Sequence, residues 1–163
     1  MKSKHIRNEI LKKSTDIKKY LTDYKIETKQ LPKIKSIDTI LIVDDDPTSN
    51  YINYKLFERL DISNNIKVVY NALEGLSFLK LNLLKPQKMF IFIDMDMPII
   101  DGLEFLELAN FCNFINKNTI KIIFISENDQ ETSKNHIKEH GFDIDFMKKP
   151  LNKEELYIIF DNF

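Results

Sequence analysis

The chain has 163 residues, of which 43% are hydrophobic and 30% charged, enough for one domain with a real core plus an appendage. Its single cysteine excludes an intramolecular disulfide, and no apolar run is long enough for a membrane-spanning helix or a signal peptide, so we expect a cytoplasmic protein. The net charge of −1 hides an asymmetry, because residues 1–36 carry +7 and residues 37–163 carry −8. This split indicates two segments with different roles.

Residues 1–36 are interpreted as a basic amphipathic helical extension. Pro32 disfavours helix in the residue before it, so the helix should end there. The lysines on its polar face could bind nucleic acid or an anionic membrane, but we favour a helix that packs on its own domain or on a second copy in a homodimer. We therefore expect no nucleic-acid or membrane partner. The predicted apolar stripe consists of Ile6, Ile10, Ile17, Leu21 and Tyr24.

From residue 37 onward, short apolar runs alternate with amphipathic stretches, which predicts five strand–helix units. The predicted strands are Thr39–Val43, Ile66–Tyr70, Met89–Ile93, Ile120–Ile125 and Ile144–Met147. The predicted helices are one that begins at Pro47, then Ala72–Leu83, Leu103–Phe114, a stretch from about Asp129 to His140, and Asn152–Phe160.

Most of the predicted strands are continuously apolar rather than alternating, which indicates a parallel sheet covered by helices on both faces. The first strand is not followed by a glycine-rich phosphate loop. That favours the strand order 2-1-3-4-5 over the other common doubly wound order. The predicted fold is therefore α/β, a flavodoxin-like (βα)5 doubly wound parallel sheet with an N-terminal helical extension.

Four local expectations follow from side-chain chemistry and spacing. Asp46 should cap the first helix, whose buried stripe is predicted to contain Ile52, Leu56 and Leu60 at four-residue spacing. The third helix should carry Cys112 as a small core residue. The last helix should be capped by Asn152.

Polar side chains follow four of the predicted strands. Asp44 and Asp45 come after the first strand, Asp94 after the third, Ser126 after the fourth, and Lys149 closely follows the fifth. The carboxyl ends of parallel strands share one edge of the sheet, and ligands bind there at the point where the strand order reverses. Because that point lies between the first and third strands, the three aspartates should converge.

Three close carboxylates repel one another unless a cation neutralises them. Oxygen donors favour a hard cation such as Mg²⁺, which takes one or two carboxylates, waters and a phosphate oxygen. Ser126 can donate a hydrogen bond to one phosphoryl oxygen, and Lys149 can place a positive charge beside another. Since phosphoryl transfer needs mainly positioning and charge neutralisation, a carboxylate can serve as the nucleophile.

Four motifs at these strand ends together resemble the receiver domain of response regulators, over about residues 38–163. Each motif alone is weak, but four in this order are specific. They are ILIVDDDP at Ile40–Pro47, IDMDMPIIDG at Ile93–Gly102, FIS at Phe124–Ser126, and KKP at Lys148–Pro150. The resemblance assigns residues 37–163 to a stand-alone receiver of two-component signalling, which is not a turnover enzyme.

The resemblance implies that Asp94 accepts a phosphoryl group from a histidine kinase or a phosphotransfer protein in a Mg²⁺-dependent reaction. Asp44 and Asp45 match the family's acidic pair. The implied metal ligands are Asp45, Asp94 and the main-chain carbonyl of Asp96. The resulting change of shape would pass the signal to a downstream protein.

The resemblance also implies a switch. Ser126 matches the family's Ser/Thr, Lys149 matches the lysine before a cis proline, and Phe146 occupies the position of the switch aromatic, which is often tyrosine. Phe146 keeps the ring but loses the hydroxyl. Glu127 replaces a usually small residue at the mouth of the site.

A second interpretation is a haloacid-dehalogenase-like phosphatase with an aspartate nucleophile. Asp94 and Asp96 after an apolar strand are similar to the first motif of that family. Its additional acidic residues, however, follow the lysine, where this chain has only Glu154, Glu155 and Asp161. Here the acidic pair precedes Asp94 instead, which favours the receiver.

Overall fold

The computed structural model describes residues 37–85, 87–127 and 144–163. No helix in these three ranges is both long enough and apolar enough to cross a membrane. The extension predicted for residues 1–36 and the helix predicted from about residue 129 to residue 140 lie outside the described residues.

The described residues form five strands and four helices. The strands are β1 (Thr39–Val43), β2 (Ile66–Val69), β3 (Met89–Asp94), β4 (Ile120–Ser126) and β5 (Ile144–Lys148). The helices are α1 (Pro47–Leu60), α2 (Ala72–Asn82), α3 (Gly102–Phe111) and α4 (Lys153–Asp161).

The sheet is entirely parallel, in the order β2-β1-β3-β4-β5. Val43 at the end of β1 pairs with Val69 on one side and with Ile93 on the other. The chain leaves β1 for one neighbour and returns to pair with its opposite side, which makes the β1–β3 boundary the switch point. The predicted flavodoxin-like order is confirmed.

Two hydrophobic clusters cover the two faces of the sheet. In β1, Leu41 and Val43 belong to the cluster under α2 and α3, whereas Ile40 and Ile42 belong to the cluster under α1 and α4. All four side chains are fully buried. Side chains alternate between faces along a strand, so burial on both sides requires an apolar residue at every position. This is why β1 from Ile40 to Val43 and β3 from Met89 to Ile93 are continuous apolar runs.

The buried stripe predicted for α1 is wrong in its first member. Ile52 is half-exposed at 52%, whereas Leu56 and Leu60 are partly buried against the core. The buried residues of α1 are Asn50, Asn53 and Phe57.

Hydrogen bonding explains why α1 buries polar residues. The Nδ2 of Asn50 donates to the main-chain oxygen of Asp44 at 2.6 Å, and the Nδ2 of Asn53 lies 3.5 Å from the Oγ of Ser49. These bonds offset part of the cost of burying the two amides, although the Oδ1 of Asn50 is buried without a hydrogen-bond partner among the described residues. The first turns of α1 thus anchor the end of β1 rather than filling the core.

The predicted helix caps and the predicted cis peptide bond are present, whereas the predicted burial of Cys112 is wrong. Asp46 accepts hydrogen bonds from two main-chain N–H groups in the first turn of α1, and Asn152 caps α4 by accepting from the main-chain N–H of Glu155. The Lys149–Pro150 peptide bond is cis. Cys112 is exposed rather than buried, because α3 ends at Phe111 and the cysteine is its C-cap.

Candidate functional site

Three aspartates meet at the carboxyl edge of the sheet, at the β1–β3 boundary. Asp44, Asp45 and Asp94 each present a carboxylate oxygen within 4.8 Å of the other two. Asp44 and Asp94 are buried, while Asp45 is exposed. The cluster therefore has a closed side facing the protein and an open side facing solvent.

Lys149 joins two of these carboxylates. Its Nζ lies 2.7 Å from the Oδ2 of Asp94 and 2.9 Å from the Oδ2 of Asp44. Its main-chain N–H donates to the carbonyl of Ser126 at 2.9 Å, which ties the β5–α4 loop to the end of β4. Burial lowers the pKa of the Lys149 ammonium, but its hydrogen bonds and ion pairs with Asp94 and Asp44 outweigh burial and raise the pKa. The lysine therefore stays charged.

Asp44 is held by short-range donors. Its Oδ1 accepts from the main-chain N–H of Asp46 at 2.9 Å, and its Oδ2 accepts from the Oγ of Ser49 at 2.6 Å. Together with the contact to Lys149, these bonds replace the water that a fully buried carboxylate has lost. Sequence reasoning missed Ser49, although its place in the first turn of the capped helix puts it near the end of β1.

Asp94 is the buried aspartate at the end of β3. Its Oδ1 accepts from the main-chain N–H of Asp96 at 3.1 Å. Burial raises the pKa of the Asp94 carboxyl, and the charge of Asp44 adds to this effect. Lys149 and the Asp96 N–H lower the pKa but do not cancel the increase. The ionised cluster is therefore short of positive charge.

The donor set fits a hard divalent cation. Its ligand atoms are carboxylate oxygens, and within the described residues the cluster includes neither histidine nor cysteine. Oxygen ligands with an open side for water are what Mg²⁺ prefers, since it keeps several waters when bound. The Asp44–Asp45–Asp94 cluster could thus hold a metal ion.

Ser126 lies at the end of β4 and is buried. Its Oγ donates to the Oδ2 of Asp96 at 3.4 Å. Sequence reasoning assigned Asp96 a role only through its main-chain carbonyl and missed this side-chain contact. On the neighbouring strand, the ring of Phe146 is partly buried, with its centroid 5.6 Å from that of Phe124. Glu127, directly after Ser126, is exposed.

The loop after β3 is packed tightly beneath Asp94. Gly102, at the start of α3, donates its N–H to the carbonyl of Met95 at 3.1 Å. A Cβ on Gly102 would lie 2.6 Å from the main-chain oxygen of Asp94 and 3.0 Å from the Cα of Met95. Real Cβ atoms essentially never come as close to another atom as the 2.6 Å contact with the Asp94 oxygen. Only glycine therefore allows α3 to begin beside the aspartate.

We expect Gly102→Ala to destabilise the fold by about 1–3 kcal/mol, the usual cost of overpacking, because backbone atoms must move to admit the methyl group. Urea denaturation would measure this. Glu107→Ala is the matched control, since Glu107 is exposed on the same helix and its variant should unfold like the wild type. Equal midpoints for Gly102→Ala and the wild type would contradict the close approach.

A cleft of about 390 Å³ lies beside the cluster. Its walls include Ser49 and Ile52 from α1, Glu127 after β4, and Lys149 with Pro150 after β5. A larger cleft of about 450 Å³ lies at the opposite edge of the sheet, around the first residues of β3 and β4. We associate the chemistry with the smaller cleft because it shares Lys149 with the aspartates.

The family follows from the sequence match to the part of the chain that carries this cluster. The sequence model of the response regulator receiver domain family matches residues 40–161, a range that includes Asp44, Asp94 and Lys149. The chain belongs to the response regulator receiver domain family. Receiver domains are CheY-like signalling domains of two-component systems. No curated protein sequence matches this receiver.

Solved receiver structures share its fold at low sequence identity. A response regulator receiver protein from Dyadobacter fermentans is 19% identical, with a TM-score of 0.68 over 76% of this chain and 95% of its own. A two-component response regulator from Cytophaga hutchinsonii is 22% identical, with a TM-score of 0.68 over 78% of this chain and 97% of its own. The receiver domain of the histidine kinase CKI1 from Arabidopsis thaliana, complexed with Mg²⁺ and BeF₃⁻, is 20% identical, with a TM-score of 0.60 over 77% of this chain and 91% of its own.

Proposed function

We propose that this chain is a cytoplasmic response regulator that accepts a phosphoryl group on Asp94 from a histidine kinase or a phosphotransfer protein. One observation carries the proposal: Lys149 contacts Asp94 and Asp44 together, at the point where Asp45 completes a cluster of three carboxylates. A buried aspartate at a metal-competent edge, beside a fixed cation, is suited to receive a phosphoryl group.

The proposed reaction is a transfer from nitrogen to oxygen. A carboxylate oxygen of Asp94 attacks the phosphorus of a phosphohistidine, forming a P–O bond as the P–N bond breaks. The imidazole leaves with the electron pair of that bond, and the product is an acyl phosphate on Asp94. Lys149, whose Nζ lies 2.7 Å from the Oδ2 of Asp94, opposes the negative charge that the phosphoryl group brings.

The proposed cofactor is Mg²⁺, held by Asp45, Asp94 and the main-chain carbonyl of Asp96, with Asp44 completing the acidic pair. When bound, Mg²⁺ neutralises the carboxylates and the oxygens of the incoming phosphoryl group. The CKI1 receiver, which is complexed with Mg²⁺ and BeF₃⁻, supports this assignment by its shared fold.

We further propose that Ser126 and Phe146 carry the signal away from the site. The hydroxyl of Ser126 would turn toward a phosphoryl oxygen, and the ring of Phe146 would fill the space that this movement opens. Phosphorylation can shift this balance only by favouring one arrangement over the other. The output surface would include β5 and α4 and would bind a downstream protein.

The test is mass spectrometry of the full chain after incubation with acetyl phosphate, with and without Mg²⁺. We expect one labile phosphoryl group per chain with Mg²⁺ and little without it, because the carboxylates otherwise repel the donor. Asp45→Ala removes a metal ligand and should require at least about tenfold more Mg²⁺ for the same yield. An adduct that forms equally well in the presence of a chelator would contradict the role of the metal.

The phosphatase interpretation predicts continuing turnover instead. That family places additional acidic residues after the lysine, where this chain has only Glu154, Glu155 and Asp161, all on α4. The candidate metal cluster is instead formed by the aspartates after β1 and β3. A generic phosphate ester separates the two readings. We expect no sustained hydrolysis, and many turnovers per chain would favour the phosphatase.

A further inference from the structure

Asp96 contacts both the acceptor and the serine. Its main-chain N–H donates to the Oδ1 of Asp94 at 3.1 Å, while its Oδ2 accepts from the Oγ of Ser126 at 3.4 Å. Met95 and Met97 on either side are buried, at 7% and 6% exposure, whereas Asp96 itself is exposed. Buried side chains thus flank Asp96 on both sides, and the contact of its Oδ2 with Ser126 places its carboxylate beside the site.

The hydroxyl of Ser126 carries a single proton. It can donate to the carboxylate of Asp96 or to a phosphoryl oxygen on Asp94, but not fully to both. The distance of 3.4 Å is long for a hydrogen bond between two oxygens, which makes the existing bond weak and easy to release. Ser126 is only 4% exposed, so bulk water is a poor competitor for its proton.

We propose that Asp96 is a positioning residue whose carboxylate retains the hydroxyl of Ser126 in the unphosphorylated protein and competes for it with the phosphoryl group. This inference rests on the proposed function of Asp94. It assigns the side chain of Asp96 a role distinct from that of its main-chain carbonyl. The strength of the Asp96–Ser126 contact then sets how readily the receiver reaches its active arrangement.

Charge repulsion by Asp96 would also weaken anion binding, and the experiment must separate it from retention of the Ser126 hydroxyl. The carboxylate of Asp96 is negatively charged and repels any anion beside Asp94, whether or not it holds Ser126. Removing it would strengthen anion binding on either account. Only retention of the hydroxyl makes the gain depend on Ser126.

The experiment titrates the full chain with beryllofluoride at fixed Mg²⁺ and follows binding by NMR. Asp96→Ala should bind beryllofluoride more tightly than the wild type, by up to about fivefold, the effect of losing one competing hydrogen bond of ordinary strength. Asp96→Asn removes the charge but keeps an oxygen acceptor, so its gain should be smaller. In a Ser126→Ala background, the gain from Asp96→Ala should fall to the part caused by charge repulsion alone, because no hydroxyl remains to be released.

A second readout uses the protein without metal or beryllofluoride. There, Asp96→Ala should move the Cβ and amide shifts of Ser126, and Asp96→Asn should move them less. An equal gain from Asp96→Ala with and without Ser126 would reduce the effect to charge and overturn the inference, as would unmoved Ser126 shifts. Failure of the wild type to bind beryllofluoride with Mg²⁺ would overturn the proposed function as well. If the wild type does bind beryllofluoride but the effects of Asp96→Ala and Ser126→Ala on binding simply add, the inference about Asp96 is overturned and the proposed function of Asp94 stands.

Discussion

Asp94→Asn should abolish the labile phosphoryl adduct and, without metal, unfold at a higher denaturant concentration than the wild type. The amide keeps the size of the side chain and an oxygen acceptor for Lys149, but it is no longer the nucleophile. Burial and the charge of Asp44 raise the pKa of the Asp94 carboxyl, so removing its charge relieves a cost that the fold carries. Loss of the chemical function is thus expected together with a gain in stability.

Intact-mass measurement after acetyl phosphate treatment, with urea denaturation in parallel, would check both parts. Asp101→Asn is the matched control, because Asp101 lies exposed in the same loop and caps α3, where asparagine caps equally well. That control should be phosphorylated like the wild type. A full-yield adduct on the Asp94→Asn protein would refute the assignment of Asp94 as the phosphoryl acceptor. A lower unfolding midpoint for this variant would refute the claim that the charge of Asp94 destabilises the fold.

Lys149→Ala should lower the metal-free stability of the fold by about 3 kcal/mol and block phosphorylation. The substitution removes the ammonium that Asp44 and Asp94 share, and Asp44 is fully buried. Breaking a buried ion pair on one side leaves the other charge in place without compensation. Added Mg²⁺ should restore more stability to this variant than to the wild type, since its carboxylates attract a cation more strongly.

Lys148→Ala provides the control for lost positive charge. Lys148 is the preceding residue, at the end of β5, and is exposed. Its variant should match the wild type in urea denaturation and in adduct yield. If the two lysine variants lose equal stability, general charge rather than the shared ion pair is responsible.

Much of the fold could be predicted because buried parallel strands have a strong signature. Apart from Thr39 at the start of β1 and Asp94 at the end of β3, the two strands consist of apolar residues. Both were therefore predicted, although β3 extends one residue beyond the predicted end, to Asp94. The buried face of α1 could not be predicted, because Asn50 is buried only through its bond to the carbonyl of Asp44. A partner supplied by another element leaves no periodic trace in the helix itself.

The candidate site also has a part that the sequence predicts and a part that it does not. That Asp44, Asp45 and Asp94 converge follows from strand order alone, since carboxyl ends of parallel strands share an edge. The carboxylate of Asp96 is different, because its direction depends on the conformation of the loop after β3. In that loop Ile99 is exposed and has a φ of 71°, a left-handed conformation that is uncommon for a branched side chain. Local propensity would not have predicted it.

The strand order also bears on how the protein behaves when concentrated. Among the described strands, it leaves β2 and β5 at the borders of the sheet, where main-chain groups without a neighbouring strand can recruit a strand from another molecule. Both strands are short, with four and five residues, and they carry charges at Lys67, Asp145 and Lys148. If the same edge strand of a second molecule paired with β2 or β5, like charges would lie close together or charged side chains would be desolvated. The borders thus discourage the edge-to-edge stacking that leads to aggregation, while the central apolar strands stay enclosed.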